Sequence, residues 1–256
     1  MTQEPPRTRD WDGAAYDRVS TPQEDMARVV LERLTLRGDE TVIDAGCGSG
    51  RVTRLLLEHL PHGHVIAVDA APSMTAQARE HLDERATVIT SDLVDMRVDE
   101  PADAAFSNAV FHWVPDHDAL FARLYESLKP GAPLVAQCGG EGNIEDFHRV
   151  AREVGERDPY RPYLAGWEGP WNFASAEITA ERLERAGFEG VQTWLEPWPV
   201  APPEPETYLR VVCLGHHLEA LPEELRESYV SDVLKACGDP VELGYVRLNI
   251  QARRAG

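Results

Sequence analysis

The sequence predicts an α/β fold in which helices cover both faces of a doubly wound, mainly parallel sheet. Three observations predict it. Short apolar segments alternate with longer amphipathic segments between residues 41 and 138. A glycine-rich turn, Asp44-Ala-Gly-Cys-Gly-Ser-Gly50, directly follows the first apolar segment, and aspartates stand at the ends of the first three predicted strands. Strands that alternate with helices imply parallel pairing through right-handed crossovers.

The first helix is predicted over residues 21–36. Thr21-Pro22-Gln23-Glu24 has the pattern of a capping box with proline at the first helical position. Apolar residues at helical spacing follow it, and they predict one buried face: Met26, Val29, Val30, Leu31 and Leu34.

The next elements are bounded by glycine, proline and aspartate. The predicted strands are, in order, Thr41–Ala45, His64–Asp69, Thr87–Thr90, Asp103–Ala109 and Pro133–Cys138. The predicted helices between them run from the glycine turn to Leu60, from Pro72 to Leu82 and from Asp116 to Leu128. Lys129-Pro130-Gly131 is a clear stop signal for the last of these.

The alternation loosens after residue 138. One helix is predicted near Ile144–Arg157, then a helix over Ala180–Ala186 and a strand over Gly190–Leu195. Two more helices follow, near Glu206–Leu221 and Glu223–Ala236, before a last strand at Gly244–Ala252. We therefore expect a single domain over 1–256, with a core of about 10–138 and cap insertions of about 139–177 and 197–243. The cap is expected over the carboxyl edge of the sheet, where such folds bind ligands.

Composition restricts the function classes. The chain has 25 Lys and Arg against 44 Asp and Glu, a formal net charge of −19. Because nucleic acids and anionic membranes bind positive surfaces, neither is an expected partner. The four cysteines form no CxxC pair and no zinc-spaced cluster with histidine, so no metal is predicted. The start of the chain lacks a secretory pattern, and we expect a cytoplasmic monomer or homodimer.

The glycine turn differs from the common phosphate-binding loops. Gly46, Gly48 and Gly50 are two residues apart, and position 51, where the fingerprint G-x-G-x-x-G needs glycine, holds Arg51. The Walker spacing is absent as well. Asp44 would repel a phosphate and attract a cationic or ammonium-bearing ligand. A nicotinamide-dependent dehydrogenase is therefore disfavoured.

Two further aspartates complete a pattern suited to an adenosyl group without a pyrophosphate. Asp69 ends the second strand, where a carboxylate can accept hydrogen bonds from both ribose hydroxyls. Asp92 follows the third strand and can accept from an adenine amine, with Met74 and Leu93 on either side of the ring. The alternative is that these aspartates only cap helices or turns.

The motif Asp44–Gly50, together with Asp69 and Ser91-Asp92, resembles those of the class I S-adenosylmethionine-dependent methyltransferases. The resemblance covers residues 10–140 well and the remainder by topology. It implies a Rossmann-like, seven-stranded sheet whose last strand is antiparallel, with helical cap insertions after strands five and six. It also implies S-adenosyl-L-methionine as cofactor, since a bare glycine backbone lets the methionine part lie against the loop. The cofactor-binding residues expected on this basis are Asp44, Gly46, Cys47, Gly48, Asp69, Ala70, Met74, Ser91, Asp92, Leu93, Asn108 and Trp113.

The segment after the fourth strand indicates the acceptor side. Its sequence, FHWVPDHDALFARL over residues 111–124, resembles the trans-aconitate 2-methyltransferase-like carboxyl methyltransferases. That resemblance implies O-methylation of a small acid. A carboxylate acceptor is already ionised and needs no base, whereas a hydroxyl would need one. His112 is the nearest candidate, either as that catalytic base or as a wall of the site.

Aromatic residues are the other candidates for substrate binding. Trp11 and Tyr16 either form part of a lid or pack on the core. Trp167 and Trp171, with Phe173, either wall an apolar acceptor pocket or form the core of the cap. Arg161 and Arg210 are candidates to hold an acceptor carboxylate, or are surface residues.

The sequence therefore predicts an enzyme that transfers a methyl group from S-adenosyl-L-methionine to a small-molecule acceptor, with a carboxylate oxygen expected. Two alternatives remain open. One is a natural-product enzyme that methylates a hydroxyl, nitrogen or carbon of a non-carboxylate acceptor. The other is a protein that binds the cofactor without transferring its methyl group.

Overall fold

The computed structural model describes residues 21–256, and for residues 21–25 the backbone only. The helices are α1 Thr21–Leu31, α2 Arg51–Glu58, α3 Pro72–His81, α4 His117–Glu126, α5 Glu145–Gly155, α6 Arg161–Leu164, α7 Ala176–Ala186, α8 Pro205–Tyr208, α9 Gly215–Ala220 and α10 Glu223–Cys237. The strands are β1 Thr41–Ala45, β2 His64–Asp69, β3 Ala86–Thr90, β4 Ala104–Asn108, β5 Pro133–Gly139, β6 Phe188–Val200 and β7 Leu243–Arg254.

The seven strands form one sheet in the order β3-β2-β1-β4-β5-β7-β6. Strands β1 to β5 run parallel to one another. Strand β7 inserts between β5 and β6 and is antiparallel to both. This confirms the predicted α/β fold, including its seven strands and its antiparallel last strand. Because the order reverses beside β1, the loops after β1 and β4 face a common crevice at the carboxyl edge.

Apolar side chains on both faces of the sheet hold the helices in place. Val42 and Ile43 are adjacent in β1 and point to opposite faces. Val42 belongs to the core that includes Leu56 of α2, and Ile43 belongs to the core that includes Leu120 of α4. Burial on both faces explains why β1 is an apolar run and does not alternate with polar residues.

The segments after β5 and β6 pack together as a helical cap with its own core. Helices α5 and α10 contact each other, and the Tyr229 hydroxyl of α10 donates to the Ala151 carbonyl of α5 at 2.9 Å. The Tyr208 hydroxyl lies 2.9 Å from that of Tyr245 on β7, which ties the cap to the sheet. The predicted cap insertions after strands five and six are confirmed in position.

The element boundaries differ most in this region. Strand β6 continues to Val200, although Pro197 and Pro199 led us to expect the end of the strand near Leu195. Both prolines are exposed, and β6 is an edge strand. Residues two apart direct their backbone nitrogens to the same side, so the missing N–H groups can face away from β7 without loss of ladder bonds.

The helix predicted over Glu206–Leu221 is also interrupted. It consists of α8, a π-helical turn over Leu209–Cys213, and α9. The Leu214 N–H donates to the Leu209 carbonyl at 2.7 Å, which is the i to i−5 bond of such a turn. This turn carries Val212 and Cys213 to the crevice described next.

Candidate active site

A cavity lies at the carboxyl edge of the sheet and extends beneath the cap. It brings together most of the residues predicted from the sequence: Asp44, Gly46, Cys47, Gly48, Asp69, Ala70, Met74, Asp92, Leu93, Asn108, His112, Trp113 and Trp171. Ser91 is not part of its lining, and its hydroxyl donates to the Asp92 carbonyl at 2.9 Å. Trp167 lines a smaller neighbouring cavity that shares Trp171 and His148 with the first. Trp11 and Tyr16 lie outside the described residues.

The glycine loop combines close packing with an open face. The backbone at Gly46 has a φ of +90°, and an added Cβ would come 2.2 Å from Cγ2 of Val110. Gly48 has a φ of +54°, and its added Cβ would meet no atom within 4 Å. Glycine is therefore required at position 46, because Val110 leaves no room for a side chain. A side chain at position 48 would project into the cavity. The loop thus fits a cofactor that lies against its backbone.

The Asp69 carboxylate connects this loop to the turn before α3. Its Oδ2 accepts from the Gly48 N–H at 2.9 Å, and its Oδ1 accepts from the Ala71 N–H at 2.9 Å. Partial burial raises the pKa of Asp69, and the backbone bonds oppose that shift. A carboxylate offers about four acceptor positions, so Asp69 can still accept from a ligand hydroxyl beside these backbone bonds.

Asp44 is held in a less polar setting. It is 1% exposed and accepts from the Thr53 hydroxyl at 2.6 Å. Burial is the main cause that raises its pKa from 3.8 to about 7, and the charge of Asp69 adds to it. A cationic ligand in the cavity would favour the ionised form and lower this pKa.

Replacement of Asp44 by asparagine is expected to change how stability depends on pH. The folded protein keeps the Asp44 proton up to about pH 7, whereas the unfolded chain loses it near 3.8. The protonated Asp44 therefore contributes its full stabilisation to the wild type below pH 4. This contribution to the free energy of unfolding, about 4 kcal/mol, is lost as the pH rises to 7. Urea unfolding without cofactor should show Asp44→Asn gaining on wild type as the pH rises from about 4 to 7. A constant difference between the two proteins would contradict the buried, protonated state.

His112 lies in a short 3-10 turn after β4 and is buried, with 7% of its surface exposed. Its Nδ1 accepts from the Gly139 N–H of β5 at 3.2 Å. Burial, with the nearby charge of Arg247, lowers the pKa of His112 well below 6.5, so the ring is neutral at neutral pH. Since Nδ1 accepts a hydrogen bond, the proton of the neutral ring is on Nε2. The remaining nitrogen of His112 is therefore a donor.

Strand β7 supplies residues to the cavity that the sequence analysis did not identify. Arg247 stands opposite Gly139 in the β5–β7 pairing, is 2% exposed, and lines the cavity. Its Nε donates to Oε1 of Gln137 at 3.2 Å. Tyr245, two residues earlier, also lines the cavity. The available signal was a run of polar residues at alternate positions in a buried strand: Tyr245, Arg247 and Asn249.

The two arginines first considered for an acceptor carboxylate lie elsewhere. Arg210 donates to both carboxylate oxygens of Glu227 at 2.6 and 2.7 Å, and neither residue lines the cavity. Arg161 is exposed at the start of α6. Arg247 replaces both as the candidate, because it is the arginine that the sheet directs to the site.

The described residues lack two further features. Within residues 21–256 there is no group of three or more His, Cys, Asp or Glu side chains arranged to hold a metal ion. None of the helices that the described chain forms has the length and apolar character needed to span a lipid bilayer.

Comparison with known proteins agrees with this geometry. The family described as "Methyltransferase domain" matches residues 42–131, which contain the glycine loop, Asp69, Asp92 and His112. The chain is 33% identical over 187 residues to a trans-aconitate 2-methyltransferase of Methylobacterium nodulans, covering 73% of this chain and 67% of that protein. It is 34% identical over 157 residues to the protein of that name from Acidovorax ebreus, covering 61% and 60%.

Solved structures with the same fold include a phosphoethanolamine N-methyltransferase 2 of Haemonchus contortus in complex with S-adenosyl-L-methionine. It has a TM-score of 0.61 at 18% identity and covers 95% of this chain and 57% of that one. The [4+2]-cyclase SpnF has a TM-score of 0.60 at 18% identity, covering 98% and 86%.

The sheet order defines the fold class, and the family match and the curated relatives show which enzyme family this chain represents. The chain belongs to the class I S-adenosylmethionine-dependent methyltransferases. It is a methyltransferase, and S-adenosyl-L-methionine is its cofactor.

Proposed function

We propose that this enzyme transfers a methyl group to a carboxylate oxygen of a small organic acid. The observation that carries the proposal is Arg247, a buried guanidinium that lines the cavity close to His112. A guanidinium matches a carboxylate with two parallel hydrogen bonds. The trans-aconitate 2-methyltransferase relatives support the same acceptor class.

The cavity residues divide into two groups in this proposal. Asp69 and Asp92 would hold the ribose and adenine of the cofactor, with Met74 and Leu93 against the ring. When bound, S-adenosyl-L-methionine supplies an electrophilic methyl group on a sulfonium. Arg247 would orient the acceptor so that one carboxylate oxygen meets the methyl carbon. Correct orientation of two reactants can lower a barrier by about 7–11 kcal/mol.

His112 has a supporting role in this reaction. A carboxylate oxygen forms the new bond as the carbon–sulfur bond breaks, and no proton is released. The tautomer set by Gly139 leaves Nε2–H of His112 as a donor, which suits contact with an acceptor oxygen. A base would need an accepting nitrogen directed at the acceptor, and in His112 that nitrogen is bonded to the sheet.

Replacement of His112 by glutamine is expected to cost about tenfold or less in the rate of methyl transfer. Glutamine keeps a polar donor, whereas loss of a general base typically costs about 10²–10⁴. The rate should also be flat from pH 6 to 8, because the acid is already ionised and His112 is already neutral. Single-turnover transfer at saturating cofactor measures both. A loss above a thousandfold, with a rising pH limb, would favour the hydroxyl-methylating alternative.

The direct test of the proposed reaction is the nature of the product. Incubation with radiolabelled cofactor and a panel of acids, alcohols and amines should label acids. The label should be released by mild alkali, because methyl esters hydrolyse and methyl ethers and amines do not. An alkali-stable product would contradict carboxylate methylation. Binding of cofactor without turnover of any acceptor would favour the non-methylating alternative, for which the cyclase of similar fold is a precedent.

A further inference from the structure

The acceptor end of the cavity carries little positive charge. Among the described residues that line the cavity, the charged side chains are the aspartates Asp44, Asp69 and Asp92 and the arginines Arg51 and Arg247. Arg51 is the first residue of α2, beside the glycine loop, and therefore belongs to the cofactor end. Arg247 is therefore the guanidinium that lines the acceptor end within the described chain. It matches one carboxylate.

The rest of the acceptor end is aromatic. Trp171 and Phe173 are nearly parallel, with an angle of 5° and ring centroids 6.1 Å apart. Trp113 lies 6.3 Å from Trp171, and the His112 ring stacks on Phe173 at 5.7 Å. Aromatic rings in contact gain stabilisation beyond the burial of their area. A wall of this kind favours a flat, unsaturated body over a short, heavily charged one.

These aromatic walls are fixed by their surroundings. The Asn172 N–H donates to the His112 carbonyl at 2.8 Å, and its side-chain amide donates to the Val114 and Pro115 carbonyls at 3.3 and 3.1 Å. An added Cβ at Gly139 would come 2.7 Å from Phe173, and one at Gly169 would come 1.9 Å from Trp171. The segment 171–173 is thus held against the β4–α4 connection, and its shape is available before a ligand binds.

Beyond Trp171, the smaller cavity offers neutral polar groups. His148 and His217 have their rings 4.3 Å from Trp171 and 4.5 Å from Trp167, respectively. Within the described chain, Nε2 of His148 and Nδ1 of His217 are buried and have no hydrogen-bond partner. Burial lowers the pKa of His148 to about 4 and that of His217 to about 3, so neither ring supplies a positive charge at neutral pH. Arg152 and Glu168 line this cavity with opposite charges.

We propose that the acceptor is a monocarboxylic acid with a flat aromatic or conjugated body, and that acids with a second carboxylate on that body are excluded. The inference rests on the proposed carboxylate methylation. Arg247 binds the carboxylate that is methylated, and Trp113, Trp171 and Phe173 contact the body. Among the described residues, Arg247 is the one cation at the acceptor end of the main cavity, and Arg152 in the smaller cavity is accompanied by the opposite charge of Glu168. A second carboxylate among these aromatic rings would therefore be poorly compensated, which is costly. The polyacid named by the relatives is therefore not expected to be the preferred acceptor.

The test uses compounds that differ by one group. Benzoate, trans-cinnamate and 2-naphthoate represent aromatic monocarboxylates, 4-carboxycinnamate adds one carboxylate, trans-aconitate represents polyacids, and cinnamyl alcohol replaces the acid by a hydroxyl. Calorimetry with the full chain and S-adenosylhomocysteine measures binding, and radiolabelled cofactor measures turnover. We expect at least one aromatic monocarboxylate to bind and to give an alkali-labile product. The matched dicarboxylate should bind at least a hundredfold more weakly.

Two variants assign the effect to the aromatic wall. Trp171→Leu should weaken binding of the aromatic acid about tenfold or more, because a stacking face is lost. Tyr163→Leu is the control, since Tyr163 is an exposed aromatic residue, 47% accessible, outside both cavities. It should change nothing.

The possible outcomes distinguish failure of this inference from failure of the proposed carboxylate methylation. Preferential esterification of trans-aconitate or 4-carboxycinnamate would overturn the inference and leave carboxylate methylation intact. Failure of all three aromatic acids to bind would also overturn it. Methylation of cinnamyl alcohol with none of the acids would overturn both. An unchanged affinity in Trp171→Leu would show that Trp171 does not contact the acceptor and would overturn the inference.

Discussion

Replacement of Arg247 by methionine lowers kcat/KM for the acid acceptor by about 10²–10⁴, while the affinity for S-adenosylhomocysteine stays within twofold. This result is expected because a hydrogen bond that involves a charge contributes about 1.5–3 kcal/mol, and a guanidinium makes two to one carboxylate. Methionine keeps the length and apolar contacts of the side chain but removes both donors. Steady-state kinetics and calorimetry measure the two quantities.

Two further variants make this prediction specific. Arg247→Lys keeps the charge but not the planar pair of donors, so part of the activity should return. Arg210→Met removes an arginine that is bonded to Glu227 outside the cavity, and its kinetics should match wild type. Unfolding by urea must show that Arg247→Met is folded, because Gln137 loses its bond to Arg247. A folded Arg247→Met enzyme with normal kinetics would refute the carboxylate site.

Replacement of Asp69 by alanine is expected to weaken binding of S-adenosylhomocysteine by 100-fold or more. Two effects combine. Hydrogen bonds to the ribose hydroxyls are lost, at about 1.5–3 kcal/mol each. The Gly48 and Ala71 N–H groups also lose their acceptor, so the glycine loop is no longer held in position. Calorimetry reports the affinity, and thermal unfolding of the free protein reports the loss of the loop bonds as a lower Tm.

Asp92→Ala is the matched control for Asp69→Ala. The Asp92 side chain is exposed. In the described structure it accepts a local hydrogen bond from the Val94 N–H at 3.1 Å. Its removal should lower the affinity for S-adenosylhomocysteine by about tenfold, because one hydrogen bond to the ligand is lost. The Tm should stay nearly unchanged. If Asp69→Ala lowers Tm but leaves the affinity unchanged, Asp69 has a structural role only and the assignment of the ribose to it is wrong.

The cofactor half of the cavity could be predicted from the sequence because its parts are local. The glycine loop immediately follows β1, Asp69 is the last residue of β2, and Asp92 lies two residues after β3. In a parallel sheet these strand ends lie side by side whatever the details of the remaining chain. Hydrophobic runs and turn residues were sufficient to find β1 and β2 with the same bounds that the structure shows.

The acceptor half could not be predicted, because it depends on contacts between distant residues. Arg247 reaches the cavity only because β7 inserts beside β5 in a register that sets Arg247 opposite Gly139. A shift of one residue would direct its side chain to the other face of the sheet. The tautomer of His112 likewise depends on the Gly139 N–H, 27 residues away in the chain. No local pattern determines either feature.

The prolines of β6 have a consequence for the behaviour of the molecule at high concentration. An exposed edge strand can pair with a strand of another copy, which begins aggregation. Pro197 and Pro199 remove two donors at alternate positions of this edge, so an incoming strand finds an incomplete ladder there. The opposite edge, β3, is only five residues long. The two open sides of the sheet are thus poor templates for intermolecular strand addition.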